Sequence, residues 1–177
     1  MGTNWNPIKN SVLAAVKKGK NFSKPAGSDK YILPVLGVMF VLVFIIPSFN
    51  YRYDWSTVPI YVEVLGFLIL IFSFYLLFRA MLENPHASKV LDIRQGQKLI
   101  DTGLYAHVRH PLYSGYSFMF IGIPLGLGSW YALIPAILCI VILLVRCKFE
   151  EQMLVEGLEG YEDYMKRVKY RLIPYLL

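Results

Sequence analysis

An all-α integral membrane protein with four transmembrane segments, the last two a helical hairpin, is the fold class this sequence predicts. Three observations lead there. Of its 177 residues 56% are apolar, and mean hydropathy is +0.47, which sets the chain apart from basic soluble domains. Four nearly charge-free runs follow one another along it. All 18 Lys and Arg except Arg52 fall in three segments that alternate with those runs.

The chain opens with a basic segment, residues 1–30, that holds Lys9, Lys17, Lys18, Lys20, Lys24 and Lys30. Within it Ile8, Val12, Leu13 and Val16 share one helical face and Gly19 follows as a stop. Residues 7–18 are therefore either a short interfacial helix or a basic tail. Pro25 and Gly27 make 23–30 a linker. The N-terminus carries no short apolar core with a small-residue cleavage site, as a signal peptide would. Trp5 and Asn6 fit a myristoylation signal poorly.

Residues 31–78 hold two transmembrane helices. Tyr31 to Phe49 has no charge, and Val58 to Phe78 has one, Glu63; each is long enough to span a bilayer. Tyr51, Tyr53, Trp55 and Tyr61 between and beside them form an aromatic belt for one interface. Leu112 to Leu127 and Trp130 to Val145 are shorter, and Gly128-Ser129 joins them tightly. They read as a helical hairpin that meets the far interface, marked by Trp130 and Tyr131, through local thinning of the bilayer. The Lys/Arg distribution then places the N-terminus, the connecting segment 79–111 and the tail after Val145 on one side, with both termini cytoplasmic. The expected partners of the positive charge are anionic membrane lipids; no nucleic acid is implied. Residues 112–177 form the hairpin plus a cytoplasmic helix and tail.

Cys139 and Cys147 are eight residues apart on one helix, roughly 12 Å along its axis, too far for a disulfide. No metal-ligand spacing is present. Gly122, Gly126 and Gly128 superficially suggest a nucleotide loop, but they follow no strand and lie in an apolar run. Close helix packing through small residues explains them better.

The polar residues near the predicted membrane edge carry the chemistry. Arg146 and Glu150 are i,i+4 neighbours on one helix face. Two readings stay open for them: a snorkelling arginine with a surface ion pair, or a clamp in which the arginine holds an anion and the glutamate a cation. Glu63 reads as a near-interface acid, and His86 and His107 as solvated or structural. Arg109 reads as a topology anchor. His110 precedes Pro111, which can occupy the first turn of the next helix and leave its free N–H groups beside His110 and Tyr113. Such a helix start favours an anion.

The segment Gly103-Leu-Tyr105-Ala-His-Val-Arg109-His110-Pro111-Leu-Tyr113-Ser-Gly115, the pair Glu150-Glu151 and the tail Gly160-Tyr161 to Arg171-Leu-Ile-Pro174 resemble the isoprenylcysteine carboxyl methyltransferase family, in its prokaryotic members, and its phospholipid methyltransferase relatives. The resemblance covers residues 84–177. It implies a membrane enzyme that uses S-adenosyl-L-methionine without a Rossmann domain, with the cytoplasmic loop and a C-terminal lid forming the cofactor pocket. It further implies that Gln97, Lys98, Leu99, Ile100, Tyr105, His110, Pro111, Leu112, Tyr113 and Glu150 line the cofactor site. By the same resemblance Arg146 meets the acceptor carboxylate, and the acceptor is a lipidic or prenylated molecule. A prokaryotic inner membrane is the implied location. Arg94 stands where members often carry glutamine, and the strip around Gln97 lacks a histidine that members often have. Three other readings share these residues: an amine N-methyltransferase of phospholipids, an NADPH-dependent sterol or steroid reductase with a similar Arg-His-Pro-x-Tyr segment, and a non-enzymatic membrane scaffold. The glutamate pair and the tail favour the methyltransferases over the reductases.

Overall fold

The computed structural model describes residues 29–84 and 99–174. The candidate interfacial helix at 7–18, most of the linker, His86, Arg94, Gln97 and Lys98 lie outside the described residues. Among the described residues there are five α-helices and one 3-10 turn: α1 (Asp29–Tyr53), α2 (Ile60–Glu83), the 3-10 turn (Gly103–Ala106), α3 (Pro111–Gly126), α4 (Leu133–Gly157) and α5 (Tyr161–Arg167). No strand occurs among the described residues.

α1 and α2 extend beyond the apolar runs that predict them, to 25 and 24 residues, roughly 36 Å each at 1.5 Å per residue. Both are long and apolar enough to cross a membrane. Their outward faces carry Val38, Phe44, Leu68, Ile71, Phe74 and Phe78, all exposed. A continuous apolar surface of that kind is stable against lipid and costly in water. α3 has 16 residues, roughly 24 Å, short of a hydrocarbon core about 30 Å thick. α4 begins as the second arm of the hairpin and continues as one helix past Val145 to Gly157. Its last three turns therefore carry Arg146, Glu150 and Glu151 beyond the apolar run.

The most extensive helix contact, α2 on α3, rests on small residues. The buried residues of α2 are Gly66, Ser73 and Ala80, seven apart, so they form a single seam. A Cβ on Gly66 would lie 2.3 Å from the Gly126 nitrogen, and one on Gly122 would lie 3.0 Å from the Gly66 carbonyl oxygen. Ser73 Oγ donates to the Gly115 carbonyl at 2.9 Å. The backbones thus approach too closely for a larger residue at Gly66 or Gly122, and the packing role expected of Gly122 holds, whereas a Cβ on Gly126 would meet Phe67 at an ordinary 3.5 Å. α1 and α4 enclose the other side of α3. Val43, Phe120, Ala136, Cys139, Leu143 and Cys147 form the core there, and both cysteines are free and buried.

One end of the bundle is closed by the two short connections. Asn50 Nδ2 donates to the carbonyls of Ser56 (2.9 Å) and Gly128 (3.2 Å) and so ties them together. Trp130 Nε1 donates to the Thr57 carbonyl. Trp55 meets Tyr131 edge-on at 6.1 Å and stacks near Tyr53 and Phe49. The predicted belt therefore gathers at this end, and Glu63, half-buried, lies beside Gly128 in the same place. The candidate site lies at the other end.

Candidate active site

Five pieces of chain converge at that end: the start of α1, the segment before α3, the start of α3, the last turns of α4, and the tail after α5. Pro111 occupies the first position of α3 as its fixed φ favours, and His110 is the N-cap, with φ −126° and ψ 65°. The His110 ring stacks parallel on Tyr113 at 5.5 Å. His110, Pro111 and Tyr113 are buried; Leu112 is half-buried.

Tyr113 links the two residues whose i,i+4 spacing made them candidates. Arg146 Nη1 donates to Tyr113 Oη at 2.7 Å, and Tyr113 Oη donates to Glu150 Oε2 at 2.6 Å. Tyr113 thus joins Arg146 to Glu150, which is half-buried. Arg146 itself is 4% exposed, which removes the snorkelling reading. Its Nε and Nη2 meet the two carboxylate oxygens of Asp29 at 3.0 and 3.1 Å. Asp29, in the first turn of α1, is 1% exposed. The sequence reading passed over it as the end of a linker. The Arg146–Asp29–Glu150 group thus holds one cation against two carboxylates.

Glu151, the neighbour of Glu150, faces a different set of partners. Its Oε1 accepts from Arg109 Nε at 2.7 Å and lies 3.3 Å from His110 Nε2, while Oε2 accepts from Arg171 Nε at 2.9 Å. Burial pushes this carboxyl up, but the hydrogen bonds from His110 and Arg109 and their positive field outweigh it and hold the pKa down at about 2. Arg109 is buried, not at a lipid headgroup as a topology anchor would be. Its Nη1 donates to the Val168 and Lys169 carbonyls at 2.7 and 2.9 Å. The backbone N–H groups of Arg109 and His110 donate to the Tyr170 and Arg171 carbonyls, and Ser114 Oγ donates to the Leu172 carbonyl. An extended strap, 168–172, is thereby bound along the start of α3. Sequence alone gave no role to Glu151 or Arg171, because their partners lie 20 to 42 residues away.

The remaining predicted residues flank this cluster. Tyr105 is buried in the 3-10 turn, and its carbonyl accepts from Tyr164 Oη at 2.7 Å. Burial pushes its phenol up to about 12. The turn is pinned by Glu83, whose Oε2 accepts from the Leu104 N–H at 2.7 Å. Gly103 before it has φ +61° and lies against that carboxylate, so a side chain there would be strained and crowded. Leu99 packs on the tail cluster of Tyr161, Tyr164 and Val168, and Ile100 beside it is half-buried. His107 is exposed, with Nδ1 3.0 Å from the Gly103 carbonyl. Tyr161 was not singled out from sequence. Its hydroxyl is buried with no hydrogen-bond partner among the described residues, and burial together with the negative field of Glu151 and Glu150 raises its pKa. No cluster of metal ligands occurs among the described residues.

Residues 61–159, more than half of the chain, match the phospholipid methyltransferase family. The chain belongs to that family. The matched region runs from the start of α2 to the end of α4, so it contains His110, Tyr113, Arg146 and both glutamates. The fold is also similar to that of the eukaryotic intramembrane Ras methyltransferase (isoprenylcysteine carboxyl methyltransferase), with a TM-score of 0.62 over 92% of this chain at 22% identity. This chain spans 60% of the length of that protein. No curated protein matches the sequence. The family match and the fold both agree with the resemblance carried by the motif and tail.

Proposed function

We propose that the protein is an S-adenosylmethionine-dependent membrane methyltransferase that methylates the carboxylate of a lipidic, isoprenylcysteine-like acceptor at the cytoplasmic membrane face. The observation that carries this reading is the hydrogen-bonded row Arg146–Tyr113–Glu150 at the point where α4 leaves its apolar run. In this reading Arg146 is the anion-binding group, towards the bilayer, and Glu150 the cation-binding group, towards water. The topology that goes with it has four crossings and both termini in the cytoplasm of a prokaryotic cell. Residues 79–111 and 146–177 then meet on that side, in accord with the positive-inside pattern.

S-adenosylmethionine supplies an electrophilic methyl group on a sulfonium, in a molecule that also bears an ammonium and a carboxylate. The residues fit such a ligand. Glu150, half-buried, is an acidic side chain of the kind that suits a cation, and the Tyr161 hydroxyl is a buried polar atom without a partner among the described residues. By the resemblance, Tyr105, His110, Pro111, Leu112, Leu99 and Ile100 would form the surrounding wall together with Gln97 and Lys98. A carboxylate acceptor is already ionised, so the site needs no strong base. It needs orientation and the exclusion of water. Arg146 would orient the acceptor carboxylate while its lipid stays among the apolar faces. The strap bound by Arg109 and Glu151 covers the start of α3 and keeps water from it.

One observation favours a second acceptor. Arg146 is already neutralised by Asp29, and a group with a net negative charge would receive an amine, as in N-methylation of an ethanolamine phospholipid. Labelled-methyl transfer by detergent-purified protein separates the two. Label in a farnesylcysteine analogue is the expected result, and label only in ethanolamine lipid overturns the carboxylate assignment.

A further inference from the structure

We propose that Asp29 is an internal stand-in for the acceptor carboxylate, which an incoming acceptor displaces from Arg146. The inference rests on the carboxylate reading above and names the step that sets acceptor affinity. The geometry is that of a bound carboxylate. Both Asp29 oxygens face two guanidinium nitrogens of Arg146 at 3.0 and 3.1 Å, in the paired arrangement by which arginine recognises carboxylates. Tyr113 occupies a third donor, Nη1.

Burial explains why an internal carboxylate is there. Both side chains are at most 5% exposed, and a guanidinium left without a counter-ion at such a place is strongly destabilising. The pair therefore stabilises the acceptor-free protein. A second carboxylate cannot join it, because Glu150 lies on the far side of Tyr113 and another negative charge would face two others in a poorly solvated site. Acceptor binding is then an exchange of one carboxylate for another. The position of Asp29 makes the exchange inexpensive: it lies in the first turn of α1, where unwinding sacrifices few helical bonds and leaves the packing of α1 on α4 intact. Asp29 is a positioning residue that acts through Arg146, and it sets selectivity by requiring an acceptor anion able to outcompete it.

The test measures methyl transfer to a farnesylcysteine analogue at saturating S-adenosylmethionine, with wild-type and Asp29→Asn protein. The asparagine still accepts a hydrogen bond but carries no competing charge. Acceptor KM is expected to fall at least about tenfold, the difference between a charge-assisted and a neutral hydrogen bond, with kcat changing less. An unchanged or higher KM overturns the proposal. Hydrogen exchange on the wild-type protein gives a second readout that does not depend on the variant folding. The amides of Leu33, Val35 and Leu36, which bond back to the first turn, should exchange faster with the carboxylate acceptor and not with its methyl ester. Slower exchange would mean that the acceptor reinforces the Asp29 pair, which is the opposite of displacement. Absence of transfer to the carboxylate by either protein overturns the carboxylate reading as well. Transfer with an unmoved KM overturns only the role of Asp29.

Discussion

Replacing Glu151 by glutamine should loosen the C-terminal strap and flatten the acid dependence of stability. Glu151 is the one carboxylate that joins the segment before α3, the end of α4 and the tail, through Arg109 at 2.7 Å, His110 at 3.3 Å and Arg171 at 2.9 Å. Its pKa is about 2 in the folded protein against 4.5 for an ordinary glutamate. The folded state thus binds its proton less readily than the unfolded chain does. The resulting stability is fully present above about pH 4.5 and is lost as pH falls through 2. The difference corresponds to about 3 kcal/mol at neutral pH. In a protein of this size that is a fall of about 6–12 °C in Tm. Thermal unfolding of detergent-purified protein at pH 7, 5, 4 and 3 measures it. The wild type should lose stability below pH 5, whereas Glu151→Gln should start lower and lack that component of the slope. Arg109 also holds the strap through the Val168 and Lys169 carbonyls, so trypsin should cut the tail faster in the variant. A variant that melts within a degree of wild type at pH 7, or follows a parallel pH curve, would refute the reasoning.

Other outcomes follow from the packing and the cluster. Gly66→Ala should cost about 1–3 kcal/mol, because its Cβ meets the Gly126 backbone at 2.3 Å, while Gly37→Ala, with nothing within 4 Å, should be neutral or stabilising; thermal melts of the two variants make the comparison. Glu150→Ala should weaken S-adenosylhomocysteine binding in calorimetry, whereas Arg146→Ala should abolish acceptor turnover with cofactor binding largely kept. Loss of cofactor binding in Arg146→Ala would show the roles to be divided wrongly. Tyr161→Phe removes a buried hydroxyl without a partner, so the ligand-free protein should be as stable as wild type or more so, by up to about 1–3 kcal/mol. The same variant should gain less stability from S-adenosylhomocysteine if that hydroxyl serves the ligand.

What could be read from sequence was what is local. Pro111 after His110 gave the start of α3, and the i,i+4 spacing of Arg146 and Glu150 put them on one face, where both reach Tyr113. Hydropathy located both long apolar helices, and the aromatic residues of the closed end were legible as a belt. That i,i+4 spacing left Glu151 without a role, since adjacent residues on a helix differ by about 100° and only the partners on its own face decide what it does. Those partners, Arg109 and Arg171, come from distant segments. Arg109 looked like an anchor because clustered positive charge near an apolar run has that meaning by default; the fold buries it under the tail. Asp29 went unremarked because its partner is 117 residues away. The seam Gly66, Ser73 and Ala80 was different. Its seven-residue spacing stood in the sequence, but within a uniformly apolar run small residues are visible as a packing face only when sought as one.

A methyl donor bound at the Tyr113–Glu150 end of the bundle is central to the proposed function. Calorimetry of the detergent-purified protein with S-adenosylhomocysteine and, separately, NADPH tests this most directly. Binding of S-adenosylhomocysteine that is lost in Glu150→Ala, with no heat from NADPH, is the predicted result; binding of NADPH alone would contradict it.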